Sequence, residues 1–275
     1  MRGATLIRLL ALDLDDTLLG ADGSISAENL AALEEARKRG IGITIVTGRR
    51  WLSARDYVAH VKPTYPVICY CGAKVVDPAD ERVQEMHVLP PDLVNDLLEF
   101  LADGPALYGL YVDDEIYTRV WLRLPGRTPD GPPPGVRVVP SVPAAYRKLR
   151  RDGPVPVPQF DIFGEEAVAA VLEAFPGRDA RFVPLRSGDL CYLKVLPRPA
   201  EKGEALARLC ARAGISPEEV VAMGDSPLDE GMLRWAGTGV AMPWASEQVK
   251  AAADLVMDPG QPHPVAAAIR ALLSS

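Results

Sequence analysis

An apolar run that ends in carboxylates is the first place in this sequence where chemistry is possible. In LLALDLDDTLLG, residues 9–20, Asp13, Asp15 and Asp16 interrupt a row of leucines, with only Leu14 between the first two. Two unit charges about 4 Å apart cost roughly 4 kcal/mol at an effective dielectric near 20. A fold keeps such a group only where water solvates it or a cation neutralises it. Two more apolar segments end in polar residues. One closes in TGR, Thr47 to Arg49, and a late one in GDSPLD, which carries Asp225 and Asp229. Lys202 stands near the start of a helical segment. Singly these features are ordinary: acidic turns, Thr-Gly turns and surface lysines are common. Their joint order, each at a strand end or a helix start, gives them weight.

Ligands of an open parallel sheet bind beyond the carboxyl ends of its strands, near the point where strand order reverses. The elements needed for such a sheet are legible. LIRLLALDL reads as a buried strand. Ser26 caps a helix over SAENLAALEEARKRG, with Leu30, Leu33 and Ala36 on one face and Gly40 beyond its end. IGITIV is a β-branched strand, WLSARDYVAHV a helix and PVICYCG a third strand. This alternation implies parallel strands joined by crossovers. From about Asp77 to Gly188 the rhythm changes to longer, alternating strands such as LYGLYVDDEIYTRVWL, separated by single helices. LPGRTPDGPPPG, residues 124–135, is too rich in Pro and Gly for regular structure. The first rhythm then returns: AEKGEALARLCARAG is helical, Ser216, Pro217 and Glu219 match a capping box, VVAMGD is a strand, and strand-helix alternation runs to the end.

The chain has 275 residues, enough for one large or two modest domains, with 48% hydrophobic and 24% charged residues. Its net charge of −7, from 37 acidic and 30 basic side chains, argues against nucleic acid and anionic membranes as partners. An anionic small molecule stays open, because a local cation can reverse the field of a pocket. Cys69 and Cys71 have the wrong spacing for a CxxC motif and should face opposite sides of their strand. With Cys191 and Cys210 they read as reduced thiols. No secretory signal is evident and no run approaches the ~20 apolar residues of a membrane helix. A cytoplasmic location is therefore the expectation; oligomeric state is not legible.

Taken together, DLDDT, TGR, KGEAL and GDSPLDEGML running into AGTGVAM resemble the haloacid dehalogenase-like hydrolases, specifically the Cof-type phosphatases with a large C2-type cap. The resemblance implies an α/β fold: a Rossmann-like parallel-sheet core at residues 1–78 and 189–275, with an inserted α+β cap at 79–188 that sets substrate specificity. It implies Asp13 as nucleophile and Asp15 as general acid/base with its carbonyl on the metal. It assigns Thr47 and Gly48 to the phosphate, Lys202 to neutralising nucleophile and phosphate, and Asp225 to the metal. Asp229 becomes a carboxylate behind the ligands, and Asp16 has no role. The implied cofactor is Mg2+, the implied reaction hydrolysis of a small phosphorylated metabolite, a sugar phosphate or a phosphorylated cofactor, through an aspartyl-phosphate.

The chemistry is consistent with those roles. A carboxylate nucleophile splits a very slow hydrolysis into two steps, and a divalent cation offsets its repulsion from a phosphate dianion. Three positions depart from the family pattern: Leu228 and Cys71 stand where Asn is usual, and Pro243-Trp244 replaces Gly-Asn. They motivate one alternative, a catalytically weakened regulator that binds a phosphometabolite; a second, a phosphotransferase or phosphomutase, turns on whether the cap excludes water. Arg119, Arg123, Arg127 and Arg186 are candidates for contact with an anionic leaving group, and Trp121 for packing in the cap.

Overall fold

A computed structural model describes residues 6–102, 104–121 and 132–274. Arg123, Arg127 and the greater part of the Pro/Gly segment lie outside the described residues. Strand β1 (Leu9–Leu12) leads through a wide turn to helix α1 (Ala27–Lys38), followed by β2 (Gly42–Ile45), α2 (Trp51–Val61) and β3 (Val67–Cys69). Short strands β4 (Lys74–Val76) and β5 (Val83–Met86) come next. The middle of the chain forms α3 (Pro91–Phe100), β6 (Leu107–Val112), β7 (Glu115–Thr118), β8 (Val136–Val138), α4 (Val142–Leu149), β9 (Gln159–Phe163), α5 (Glu165–Ala174), β10 (Arg181–Ser187) and β11 (Leu190–Leu196). Then follow α6 (Lys202–Ala213), β12 (Val220–Gly224), α7 (Glu230–Trp235), β13 (Thr238–Ala241), α8 (Glu247–Lys250), β14 (Leu255–Val256) and α9 (Pro264–Leu273). Among the described residues no helix is long and apolar enough to cross a membrane.

Two compact units result: Met1–Glu85 with Glu201–Ser275, and Met86–Ala200. The division falls later in the chain than the limits of 79 and 188 expected from sequence. At the first limit, β3, β4 and β5 form one small sheet that stays with the first unit. At the second, β11 pairs antiparallel with β9 and β10, so the chain leaves the middle unit only after β11.

The first unit is built on a parallel sheet in the order β14-β13-β12-β1-β2, with β3 bridged beside β2 through Val46 and Ile68. After β1 the chain goes to β2 on one side; β12 later takes the other side. Strand order therefore reverses between β1 and β12. All four residues of β1 are buried, as expected of a central parallel strand covered on both faces. Leu9 and Ala11 share a core with Leu206, Leu209, Met232 and Leu233 from α6 and α7.

Three local expectations are corrected. In α1 the buried face is Asn29, Ala32, Leu33 and Ala36, while Leu30 is only half-buried. The apolar residues alone suggested the neighbouring stripe because a buried Asn carries no hydrophobic signal. Ser216 and Glu219 do form a capping box, but it closes a single 3-10 turn that runs straight into β12. Strand β3 stops at Cys69; Tyr70 and Cys71 adopt left-handed backbone (φ 52° and 54°), so the two cysteines do not alternate along one strand.

The second unit carries a six-stranded sheet, β10-β11-β9-β6-β7-β8, antiparallel except for the pair β7/β8. Leu93 and Leu97 of α3, Tyr146 of α4 and Val168 and Val171 of α5 bury one face of it against Leu110, Phe160, Ile162 and Leu193. Helix α4 has no counterpart in the sequence reading; its short Pro-containing segment begins at Ser141, whose side chain accepts from the Ala144 amide.

Asn29 is the polar keystone of the first unit. Its Nδ2 donates to the Leu18 carbonyl (3.2 Å), and its Oδ1 accepts from the Ala266 amide at the start of α9 (3.1 Å). Asn29→Ala strands two buried backbone groups, each worth about 1–3 kcal/mol when left unpaired. The expected outcome is a loss of roughly 2–4 kcal/mol in urea unfolding with an unchanged m-value; a loss below about 0.5 kcal/mol, the size of an ordinary surface change, would refute the assignment.

Candidate active site

The sequence-selected residues of the first unit gather where strand order reverses. The Asp13 amide donates to the Met223 carbonyl (3.0 Å), which fixes the end of β1 beside the end of β12. Beyond Asp13 the chain does not continue as a strand. Asp15 is extended, Asp16 is left-handed (φ 54°), and the Leu19 amide closes the turn on the Leu14 carbonyl (2.8 Å). Asp13 and Asp15 are therefore sent to different surroundings. Asp13 is 4% exposed. The Asp15 carboxylate is half-exposed and held at both oxygens by Arg49, Nη2 to Oδ1 at 2.6 Å and Nε to Oδ2 at 2.8 Å.

At the end of β12, Gly224 is required by close approach: a Cβ there would lie 2.6 Å from the Asp229 side chain. Asp229 is fully buried and both of its oxygens are committed. Oδ2 accepts from the Asp225 amide (3.2 Å), the Ser226 amide (2.9 Å) and the Ser226 hydroxyl (2.8 Å), and Oδ1 accepts from Lys202 Nζ (2.5 Å). Asp225 Oδ1 accepts from the Thr17 hydroxyl (2.8 Å), which ties the turn after β1 to the loop after β12.

Lys202 opens α6 and is 2% exposed. Its Nζ also donates to Asp13 Oδ1 (2.7 Å), so one ammonium joins two carboxylates that are 216 positions apart in the chain. The reach depends on tight helix packing: a Cβ on Gly203 would lie 2.5 Å from the Gly231 carbonyl carbon of α7.

The third contributor is the loop after β2. Thr47 is buried, and its Oγ1 accepts from the Arg49 amide (3.1 Å), leaving the hydroxyl proton available to another acceptor. The Cys71 amide donates to the Thr47 carbonyl (3.0 Å) and the Tyr70 amide to the Arg49 carbonyl (2.9 Å), lacing this loop to the turn after β3. A Cβ on Gly48 would meet Cys71 Sγ at 3.3 Å, so the thiol borders the phosphate-binding candidates.

The electrostatics are unbalanced. Oxygens of Asp13, Asp225 and Asp229 lie within 4.8 Å of one another. With all three carboxyls ionised, one ammonium would leave two negative charges in excess. Burial, with Asp229 and Asp225 adding to it and Lys202 opposing, holds the Asp13 carboxyl well above the usual carboxylate range. Burial and Asp229 push Asp225 up to about 7. Burial alone would weaken the Lys202 ammonium, but Asp13 and Asp229 reverse this and hold it above its ordinary value. An all-oxygen donor set with an excess of two negative charges fits a hard divalent cation. Asp229, engaged by Lys202 and Ser226, is the least available of the three carboxylates; Asp13 and Asp225 are the two that could hold an ion.

Five residues chosen from sequence, Asp13, Thr47, Lys202, Asp225 and Asp229, thus line one region, and Gly48 joins them. The Asp15 side chain is instead occupied by Arg49, whose guanidinium also lies over the Tyr57 ring (4.7 Å). Thr17, Arg49 and Ser226 were visible only as letters within the motifs DLDDT, TGR and GDSPLD; their partners are remote or conformational. Leu228 is half-buried beside Asp229. In the second unit Arg119 donates to the Gly104 and Ala106 carbonyls, and Arg186 pairs with Glu165. Both are therefore engaged within that unit. Trp121 is half-buried and does not belong to the helix-covered core there.

A profile described as haloacid dehalogenase-like hydrolase matches residues 10–121 and 166–269 of this chain. The phosphatase YwpJ of Bacillus subtilis is 29% identical, over 97% of this chain and 100% of its own length. The phosphoglycolate phosphatase of Methanopyrus kandleri is 30% identical, over 96% and 97% respectively. Among solved structures, a haloacid dehalogenase-like hydrolase from B. subtilis matches with a TM-score of 0.82 at 26% identity, covering 96% of this chain and 99% of that one.

The charge excess gives a prediction that does not depend on turnover. Magnesium chloride at a hundredfold excess over its Kd should raise the melting temperature by roughly 5–10 °C. Asp225→Asn should melt no lower than the parent without the ion, because a repulsive charge is gone, and should lose the shift. An equal shift in both proteins would place the ion elsewhere.

Proposed function

The chain belongs to the haloacid dehalogenase-like hydrolases and is a phosphoric monoester hydrolase among them, and we propose that it hydrolyses a small phosphorylated metabolite with Mg2+ through an aspartyl-phosphate on Asp13. The observation that carries this reading is the buried cluster in which Lys202 joins Asp13 to Asp229 while Asp225 brings a third carboxyl oxygen within 4.8 Å of both. A bare anionic cluster would repel a phosphate dianion. Bound to Asp13, Asp225 and the Asp15 carbonyl, Mg2+ would supply the positive charge that lets carboxylate and phosphate approach.

Each residue then has a defined task. Lys202 keeps Oδ1 of Asp13 fixed and neutralises charge at the nucleophile, so the other carboxylate oxygen is oriented for attack on phosphorus. The Thr47 hydroxyl and the Gly48 amide hold phosphoryl oxygens where charge accumulates during transfer. The bond from phosphorus to the leaving oxygen breaks as the Asp13–phosphorus bond forms. Asp15, protonated at an oxygen released by Arg49, gives the leaving oxygen that proton and becomes a carboxylate, then takes a proton back from the water that cleaves the acyl phosphate. Arg49 is a positioning residue for Asp15, limiting the orientations its carboxylate can adopt. Asp229 acts through Lys202 and through the Asp225 and Ser226 amides, holding the lysine and the loop in place. We assign the second unit to substrate selection.

The test is phosphate release from 4-nitrophenyl phosphate with Mg2+, with and without a chelator. Chelation should abolish release, and Asp13→Asn should reduce it by on the order of 10³-fold or more. An Asp13→Asn protein within about tenfold of the parent would remove the nucleophile assignment, and transfer to an added sugar in preference to water would make the protein a phosphotransferase.

A further inference from the structure

The connection after β13 holds an exposed aromatic side chain, Trp244, beside the site, and the proposed mechanism gives it no task. The Met242 amide donates to the Gly224 carbonyl (3.0 Å), so this connection abuts the end of β12 that carries Asp225. The Ala245 amide then closes a turn on the Met242 carbonyl (3.1 Å), with Pro243 and Trp244 as its central residues. Pro243 is buried, whereas Trp244 is 56% exposed. The indole is nevertheless not free to swing: Nε1 donates to the Asp16 carbonyl at 2.6 Å. The residue after Asp16 is Thr17, whose hydroxyl binds Asp225. Trp244 is therefore tethered to the same turn that organises the carboxylates, one residue from the side chain that holds Asp225.

A Trp side chain has a single hydrogen-bonding group, its indole N–H. Here that donor is spent within the protein, so the ring has only its apolar π surface to offer. We propose that Trp244 is a stacking platform for a planar aromatic or heteroaromatic leaving group, and that the protein's substrate is a phosphomonoester of that class. This rests on the phosphatase reading above and narrows it. A polyhydroxylated chain would gain little from an indole whose donor is occupied, while a flat ring gains offset stacking on a surface already fixed in orientation.

The experiment compares kcat/KM for phenyl phosphate with kcat/KM for glycerol 3-phosphate. In Trp244→Ala the aryl-over-alkyl ratio should fall about tenfold, chiefly through KM for the aryl substrate, whereas Trp244→Phe should keep the ratio within about twofold. An unchanged ratio in Trp244→Ala overturns the proposal. So does an equal fall of kcat for both substrates in both variants, because the indole N–H would then act only on the Asp16 turn. A binding arm keeps the test independent of turnover. Phenyl phosphate, but not glycerol 3-phosphate, should quench tryptophan fluorescence of the Asp13→Asn protein, and Trp244→Phe in that background should remove the quench. Absence of that difference overturns the platform even in a turnover-competent protein. Absence of hydrolysis with an intact quench overturns the phosphatase reading and leaves the platform standing.

Discussion

One buried ammonium holds the site together. Lys202 lies between Asp13 and Asp229, and all three are nearly or fully excluded from solvent. Desolvating such groups costs several kcal/mol per ion, which is offset only if every partner is in place. The surrounding architecture reads as the means of meeting that condition. Helix α6 must start close to the end of β1, and α7 must lie tightly against α6, which the Gly203–Gly231 approach allows. Asp229 must be held from behind by Ser226 and by the Asp225 amide, against a glycine that leaves room for it.

The same arrangement leaves the site short of positive charge. Had Asp229 been neutral, Lys202 and Asp13 would have formed a satisfied pair with little reason to recruit an ion. With Asp225 added, full ionisation would leave the cluster two charges short, and the Asp13 and Asp225 carboxyls accordingly retain protons more readily than free ones. A pocket in that condition would, on the proposed reading, be selective in two ways: it would take a hard divalent cation, and it would accept a dianion only with the cation. On the proposed reading, stability and catalysis draw on the same electrostatic deficit.

Asp15 and Trp244 show how the turn after β1 distributes roles. Three consecutive polar residues leave in different directions because Asp16 is left-handed. Asp15 goes to Arg49, the Asp16 carbonyl to the indole, and Thr17 to Asp225. A straight strand would have placed Asp13 and Asp15 on one face and left neither Arg49 nor Trp244 with its present partner. The turn thus links three loops that meet at the strand switch.

The sequence by itself determined the parallel core, its interruption by a middle segment, and the placing of Asp13, Thr47, Lys202, Asp225 and Asp229 at strand ends and helix starts that the fold brings together. These were legible because continuous apolar strands, helix caps and residues at strand ends are local patterns. It did not determine where the middle unit ends, since β11 declares its allegiance only by pairing with β9. Nor could it reveal that the buried face of α1 runs through Asn29, that Cys71 leaves its strand in a left-handed turn, or that Arg49 occupies the Asp15 carboxylate. Those facts depend on which distant groups satisfy a buried donor or charge. Only the folded chain decides that, because hydrogen bonds and ion pairs are set by distance in space and leave no period in the sequence.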